Sequence, residues 1–289
     1  MTNEKKAIFL ALLTVAIWST VASAFKLTLK HFTSELMVFY SSFFSVFVIG
    51  TISVLKNTSV FQIKPKELFF SAFAGFFNPF LYYLILLEAY DKLPAQSAQA
   101  INYTWGITLA IMSFIFLGHK PLKRDYAAIF VCYSGVLVIG SKGDFSFIEK
   151  TELAGVVLAL ASTVIWASYW IINTKDAMIA QIRLFWNFFF GFIYTGIYIL
   201  VFETFYFSFK GILGSLYIGV FEMGISFFLW LTAMKLTSNA SRISNFIYFS
   251  PVISLFFINF FVGERILDST IIGLFLIIAG LMIQNIKRA

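Results

Sequence analysis

LALLTVAIWST (residues 10–20) returns near the middle of the chain as LALASTVIWAS (residues 158–168), with Trp18 matched to Trp166. Two further echoes follow in the same order. FLGHK (116–120) matches FVGER (261–265), and YSGVLVIGSK (133–142) matches IAGLMIQNIK (278–287). The offset is 148 residues in the first match and 145 in the other two, a drift that one small loop difference produces. Chance likeness between greasy segments is the plain alternative, and three ordered matches at nearly one offset weigh against it.

Everything around these echoes is apolar. Of the 289 residues, 60% are apolar and 12% charged, where soluble domains carry about a quarter charged. Apolar runs long enough to cross a bilayer recur from end to end. They are continuous and not alternating, which predicts helices and not a barrel. The spans are expected near 7–29, 34–55, 67–89, 94–117, 123–141, 152–173, 180–201, 211–234, 239–261 and 267–287. The first run follows Lys5 and Lys6 as a leader peptide would, but it reaches about Leu29 without an obvious cleavage site, so it reads as a membrane helix. The longest connections are 56–66 and 142–152, too short for a soluble domain.

The expected fold is therefore an all-α integral membrane protein. Ten transmembrane helices form two inverted five-helix repeats, 1–148 and 149–289, around a central cavity. Inversion follows because five is odd: the second half enters the membrane upside down relative to the first. Such repeats mark secondary transporters, which bind cargo near the midplane between the halves. One set of helix ends carries fourteen Lys and Arg, including Lys5, Lys66 and Arg288; the other carries seven. The positive-inside rule then puts both termini in the cytoplasm, and the bacterial cytoplasmic membrane is the expected location. A net charge of +7 would suggest nucleic acid in a soluble protein, but here it reflects cytoplasmic loops, and no nucleic-acid partner is expected.

Polar and ring-bearing side chains interrupt the oil. INYTWG (101–106) places Asn102, Trp105, Gly106 and Leu109 at i, i+3, i+4 and i+7, one face of a helix. A packing face explains Gly106, while Asn102 and Trp105 suit a cavity wall, since Trp is bulky for a tight crossing. Trp166, Tyr169, Trp170 and Asn173 make a similar face, and Trp18 is the repeat mate of Trp166. Trp170 also fits the interfacial aromatic belt. Asn78 and Tyr82 share a face beside the helix breaker Pro79, and Tyr248 stacks on Pro251 and Ser244. Glu222 lies in the middle of a span, where a carboxylate costs roughly 2.5–3.5 kcal/mol and so should face protein or water. It could carry a proton, pair with an ammonium group, or be a neutral structural acid. Lys26 and Arg242 read as snorkelling end residues.

Some chemistry is missing. Cys132 is the one cysteine, and His31 and His119 fall at opposite faces, so no metal cluster and no Cys/His pair is expected. Phosphate-loop, dinucleotide and hydrolase motifs are absent. Neither an enzyme nor a cofactor is expected.

These residues resemble the drug/metabolite transporter superfamily of the EamA type. The resemblance rests on the paired IWST and VIWAS segments, Ser250–Pro251, Gly263–Arg265, and a last helix with Gly273 and Gly280. INYTWG followed by FLGHK, with VIWASYWIINTKD (164–176), is closest to the aromatic amino-acid exporter branch, whose pattern is N-Y-x-W-P; this chain has Gly106 at the proline. The resemblance implies export of aromatic or other hydrophobic amino acids and related metabolites by alternating access. It puts Tyr103, Trp105 and Trp166 in the cavity wall, with Tyr82 beside them. It says nothing of Glu222. The expected site is thus Trp18, Asn78, Tyr82, Asn102, Tyr103, Trp105, Trp166, Tyr169, Glu222 and Tyr248. The expected partners are a small amphipathic solute, the lipid bilayer and, through Glu222, a coupling proton. The competing expectations are a carrier of organic cations with Glu222 as counter-ion, and a scaffold or lipid-interacting protein that moves nothing.

Overall fold

A computed structural model describes residues 2–116, 122–142, 150–173, 176, 178–237, 243 and 245–285. The described residues are helical with no strand. In chain order the helices are α1 (Asn3–Thr28), α2 (Ser34–Leu55), α3 (Pro65–Lys92), α4 (Ala95–Asn102), α5 (Trp105–Phe116), α6 (Lys123–Gly140), α7 (Lys150–Asn173), α8 (Ala180–Phe202), α9 (Phe209–Met234), α10 (Phe246–Val262) and α11 (Asp268–Asn285). Six of them (α1, α2, α3, α7, α8 and α9) are long and apolar enough to cross a membrane, and α10 and most of α11 are shorter apolar helices.

Local chemistry sets the helix starts. Thr2 and Thr33 accept the N–H groups of Lys5 and Leu36, with Glu4 and Glu35 in the first turns. Pro65 opens α3, and Glu67 reaches back to the Lys64 N–H at 3.0 Å. Gly263, at φ +78°, ends α10 in a left-handed turn that a side chain would strain.

One expected span differs. The run 94–117 is not one helix but α4 and α5, divided at Tyr103–Thr104. There the Thr104 N–H bonds the Ile101 carbonyl at 3.0 Å, a tighter turn than the α-helix allows. α3 is bent at Asn78, whose extended backbone (φ −145°, ψ 118°) interrupts the helix just before Pro79, and α9 carries a wider, π-helical stretch, Ile218–Ser226, at the matching place in the other half.

The packing pattern survives exchange of the halves. α2 packs on α8 and α6 on α11; α1 packs on α9 as α3 does on α7; α5 packs on α7 as α10 does on α1. Close crossings use glycine. A Cβ on Gly280 would lie 2.8 Å from the Ala128 carbonyl oxygen. Phenylalanines such as Phe47, Phe130, Phe260 and Phe275 point outward, where lipid receives them.

Contacts between helix ends define two faces. On the near face the Thr237 hydroxyl meets Glu4, and Arg183 meets the Glu67 carbonyl. On the far face Lys26 meets Tyr90, and the Tyr206 hydroxyl accepts the Thr33 N–H.

Candidate functional site

A cavity of about 840 Å³ lies between the halves, within the range of small-molecule sites. Trp18, Tyr82, Asn102, Tyr103, Trp105, Trp166, Tyr169, Glu222 and Tyr248 all line it. Asn78 does not: it is buried at the bend of α3, which packs on α8. Of the other polar positions read from sequence, Asn173, Arg242, Ser244 and His119 have side chains outside the described set.

The helix break at Tyr103–Thr104 does not scatter the INYTWG face. Asn102, Trp105, Gly106 and Leu109 still share the cavity wall. Asn102 is a junction: its Oδ1 accepts the Tyr82 hydroxyl at 3.3 Å, and its Nδ2 donates to Ser162 Oγ at 3.0 Å. These bonds fix the end of α4 against α3 and α7. Behind them, Thr108 and Thr163 hydroxyls meet at 2.9 Å and tie α5 to α7.

Rings make most of the wall. Trp166 lies 4.6 Å from Tyr82 and 5.8 Å from Tyr169, centroid to centroid, and Trp18 lies 5.3 Å from Trp230. Such contacts stiffen the walls at separations where rings attract one another. Trp170 also faces the cavity, so it is not only an interfacial belt residue.

Glu222 sits within the π-helical stretch of α9. The Tyr83 hydroxyl donates to its Oε1 at 3.0 Å. Its Oε2 is buried without a hydrogen bond, and the indole N–H of Trp18 is the other neutral donor that acts on the carboxylate. Tyr83 was not evident in the sequence, since a helix turns adjacent residues about 100° apart and Tyr82 already claimed the cavity face. Gln99 was missed as well, although QSAQAIN repeats an amide every third residue at Gln96, Gln99 and Asn102. Gln99 lines the cavity and accepts the Ser254 hydroxyl.

Among the described residues, the cavity wall reaches Asp125, Asp176, Ala180 and Gln284 at helix ends of the near face, and stops at Phe25, Tyr90 and Gln99 toward the far face. Polar contacts close that far side. Lys26 donates to the carbonyls of Tyr90 at 2.6 Å and Leu93 at 2.8 Å. It therefore turns inward to the unsatisfied end of α3 and does not snorkel. Glu264 accepts the backbone N–H of Ala95 at 2.8 Å, and Gln96 donates to the Arg265 carbonyl at 2.9 Å while accepting the Leu267 N–H at 3.0 Å.

At the near mouth, Asp176 holds Arg183 in a forked pair, with N–O distances of 2.6 and 2.8 Å. Arg183 also donates to the Glu67 carbonyl and to Ser71 Oγ. Burial pushes the Asp176 carboxyl up, and the Arg183 hydrogen bonds outweigh it, leaving that group below its ordinary value.

Comparison with known proteins agrees with this architecture. A crystal structure superposes with a TM-score of 0.71 over 97% of this chain and 96% of that one, at 18% identity, which shows a shared fold. An uncharacterized transporter of Clostridium kluyveri is 26% identical over 252 residues, covering 83% of this chain and 81% of that protein. The uncharacterized transporter YvbV of Bacillus subtilis is 23% identical over 217 residues, covering 73% and 69%. An uncharacterized transporter of Acidianus ambivalens is 24% identical over 249 residues, covering 84% and 92%. The model of one family matches twice, over residues 5–141 and 153–286. The chain belongs to that family, the EamA-like transporter family, and is a membrane transporter.

Proposed function

We propose that this transporter exports small amphipathic molecules by alternating access, with aromatic or other hydrophobic amino acids and related metabolites as its cargo class. One observation carries the reading: a ring-walled cavity of about 840 Å³ that reaches helix ends on a single face. Trp18, Tyr82, Tyr103, Trp105, Trp166 and Tyr248 would clasp an apolar or aromatic body. Asn102 would orient its polar end, and Asn78 would act from behind the wall by holding the bend of α3. The excess of basic residues on the near face supports a cytoplasmic placement for it, and on this reading the state would be inward-open. The far-face contacts of Lys26, Gln96 and Glu264 are then the closed outer gate.

A scaffold that carries nothing has no use for such a hollow, because polar tips facing an empty cavity gain no helix–helix contact. Glu222, buried in the membrane part of the wall, would carry a coupling proton. The test is flux from liposomes holding the purified chain, across a panel of aromatic, aliphatic and polar solutes, with and without a pH gradient. Saturable flux of ring-bearing solutes is expected. Equal leak from empty liposomes for every solute defeats the transport reading, and flux indifferent to the gradient defeats proton coupling.

A further inference from the structure

The charge inventory of the cavity wall narrows the cargo further, and this step rests on the transport reading above. Consider first where a positive group could go. Glu222 Oε1 accepts a neutral hydroxyl, its Oε2 is buried without a hydrogen bond, and the other donor that acts on it, the Trp18 indole N–H, is also neutral. Among the described residues no Lys, Arg or His forms an ion pair with it. A carboxylate in a low-dielectric site requires a counter-charge or a proton. Among the described residues no side chain supplies the counter-charge, so a charged Glu222 would draw it from the cavity. The surroundings favour a cation: Trp18, Tyr82, Trp166 and Trp230 present rings along the same wall, and ring faces attract ammonium groups.

Next consider where a negative group could go. The described cation in the wall is Arg183. Asp176 neutralises it, and four of its five N–H donors are spent on Asp176, the Glu67 carbonyl and Ser71. Lys26 lies outside the wall, committed to the carbonyls of Tyr90 and Leu93. Among the described residues, a carboxylate brought into the cavity would therefore meet neutral amides and rings, plus the repulsion of Glu222. That leaves its charge without a partner.

We infer that the cargo is an amine without a free carboxylate: a protonated ammonium on an apolar or ring-bearing body, its charge seated on Glu222 and its body against the indole and phenol rings. Within the class of amino acids and their relatives, the wall selects the decarboxylated or carboxyl-masked member over the zwitterion.

Four molecules of one shape and different charge test this: 2-phenylethylamine, phenylalanine, 3-phenylpropionate and the neutral 2-phenylethanol. Binding to the purified full chain is read by tryptophan fluorescence or calorimetry at one pH near neutral. The amine is expected to bind at least about tenfold tighter than phenylalanine, a difference of about 1.4 kcal/mol, and 3-phenylpropionate is expected to bind weakest. Glu222→Gln is expected to bring the amine down to the level of 2-phenylethanol. Phenylalanine or 3-phenylpropionate binding as tightly as the amine overturns the inference, whatever the variant does. An undiminished amine preference in Glu222→Gln overturns it as well. In both cases transport of ring-bearing solutes still stands. Failure of all four to bind, together with absent flux across the solute panel, removes the transport reading and this inference with it.

Discussion

Glu264, in the connection between α10 and α11, accepts the backbone N–H of Ala95 at 2.8 Å and so caps the start of α4 from across the bundle. The same carboxylate reaches the Gln96 N–H and side chain at 3.4 Å. It thus joins the two halves where the cavity ends. A hydrogen bond to a charged group contributes about 1.5–3 kcal/mol, enough to favour the closed far face without locking it if this contact is the proposed gate. Glu264→Gln keeps an acceptor and removes the charge. It is expected to raise opening of the far face about tenfold. A Cys132→Ala background carrying Ala22→Cys in the cavity wall reports this through a membrane-impermeant thiol reagent. Faster labelling from the far side in the Glu264→Gln protein is the expected result; an unchanged rate assigns the contact to packing alone.

Trp105 stands just past the break between α4 and α5, with its ring in the cavity wall. Trp105→Ala removes a large piece of that wall and leaves the outer surface intact. Flux of ring-bearing solutes should fall at least about tenfold while the protein inserts and purifies as before. Undiminished flux in liposomes would show that Trp105 is a spectator.

Two glycines in the same region should respond differently. A Cβ on Gly280 would meet backbone: the Ala128 oxygen at 2.8 Å and the Cys132 nitrogen at 2.9 Å, in the crossing of α6 and α11. A Cβ on Gly106 would meet only Leu281 Cδ2 at 2.8 Å, the far end of a flexible side chain. Gly280→Val should therefore lose about 1–3 kcal/mol by overpacking, and Gly106→Ala much less. Thermal unfolding in detergent compares them, and equal losses would refute the backbone argument.

How much of this was legible in the sequence depended on what each feature is made of. The spans depend on lengths of apolar chain, which a sequence displays directly, and the halves echo each other through Trp18 and Trp166. The break at Tyr103–Thr104 was hidden, because no residue there is a strong helix breaker; contacts from Ser162 and Tyr82 hold the end of α4 in place. Glu222 was visible as a charge out of place, but its donor Tyr83 was masked by the stronger claim of Tyr82 to the cavity side. The far-face contacts were invisible for a different reason. Glu264 binds backbone N–H groups and Lys26 binds backbone carbonyls, and every residue but proline carries both. The Gln96, Gln99 and Asn102 spacing was readable and points to two consequences at once, the far-face contacts and the cavity.

The forked pair of Asp176 and Arg183 links stability to selectivity at the near mouth. Arg183 is 6% exposed, so its charge depends on Asp176 for compensation. The Asp176 carboxyl is held below its ordinary value by that bond. Its contribution is therefore fully present above about pH 3.9, the unfolded value, and is lost as pH falls through the lower folded value. Asp176→Asn leaves the guanidinium buried and uncompensated, at a cost on the order of 3 kcal/mol. A lower unfolding temperature at neutral pH, with the gap to the parent protein closing in strong acid, is the expected signature. The same substitution frees a cation in the wall. 3-Phenylpropionate, expected to bind the parent cavity weakest, should then bind more tightly, because its carboxylate finds the partner that Asp176 had occupied. If the variant is destabilised yet binds the acid no more tightly, Arg183 is a structural clasp whose charge the cargo never meets.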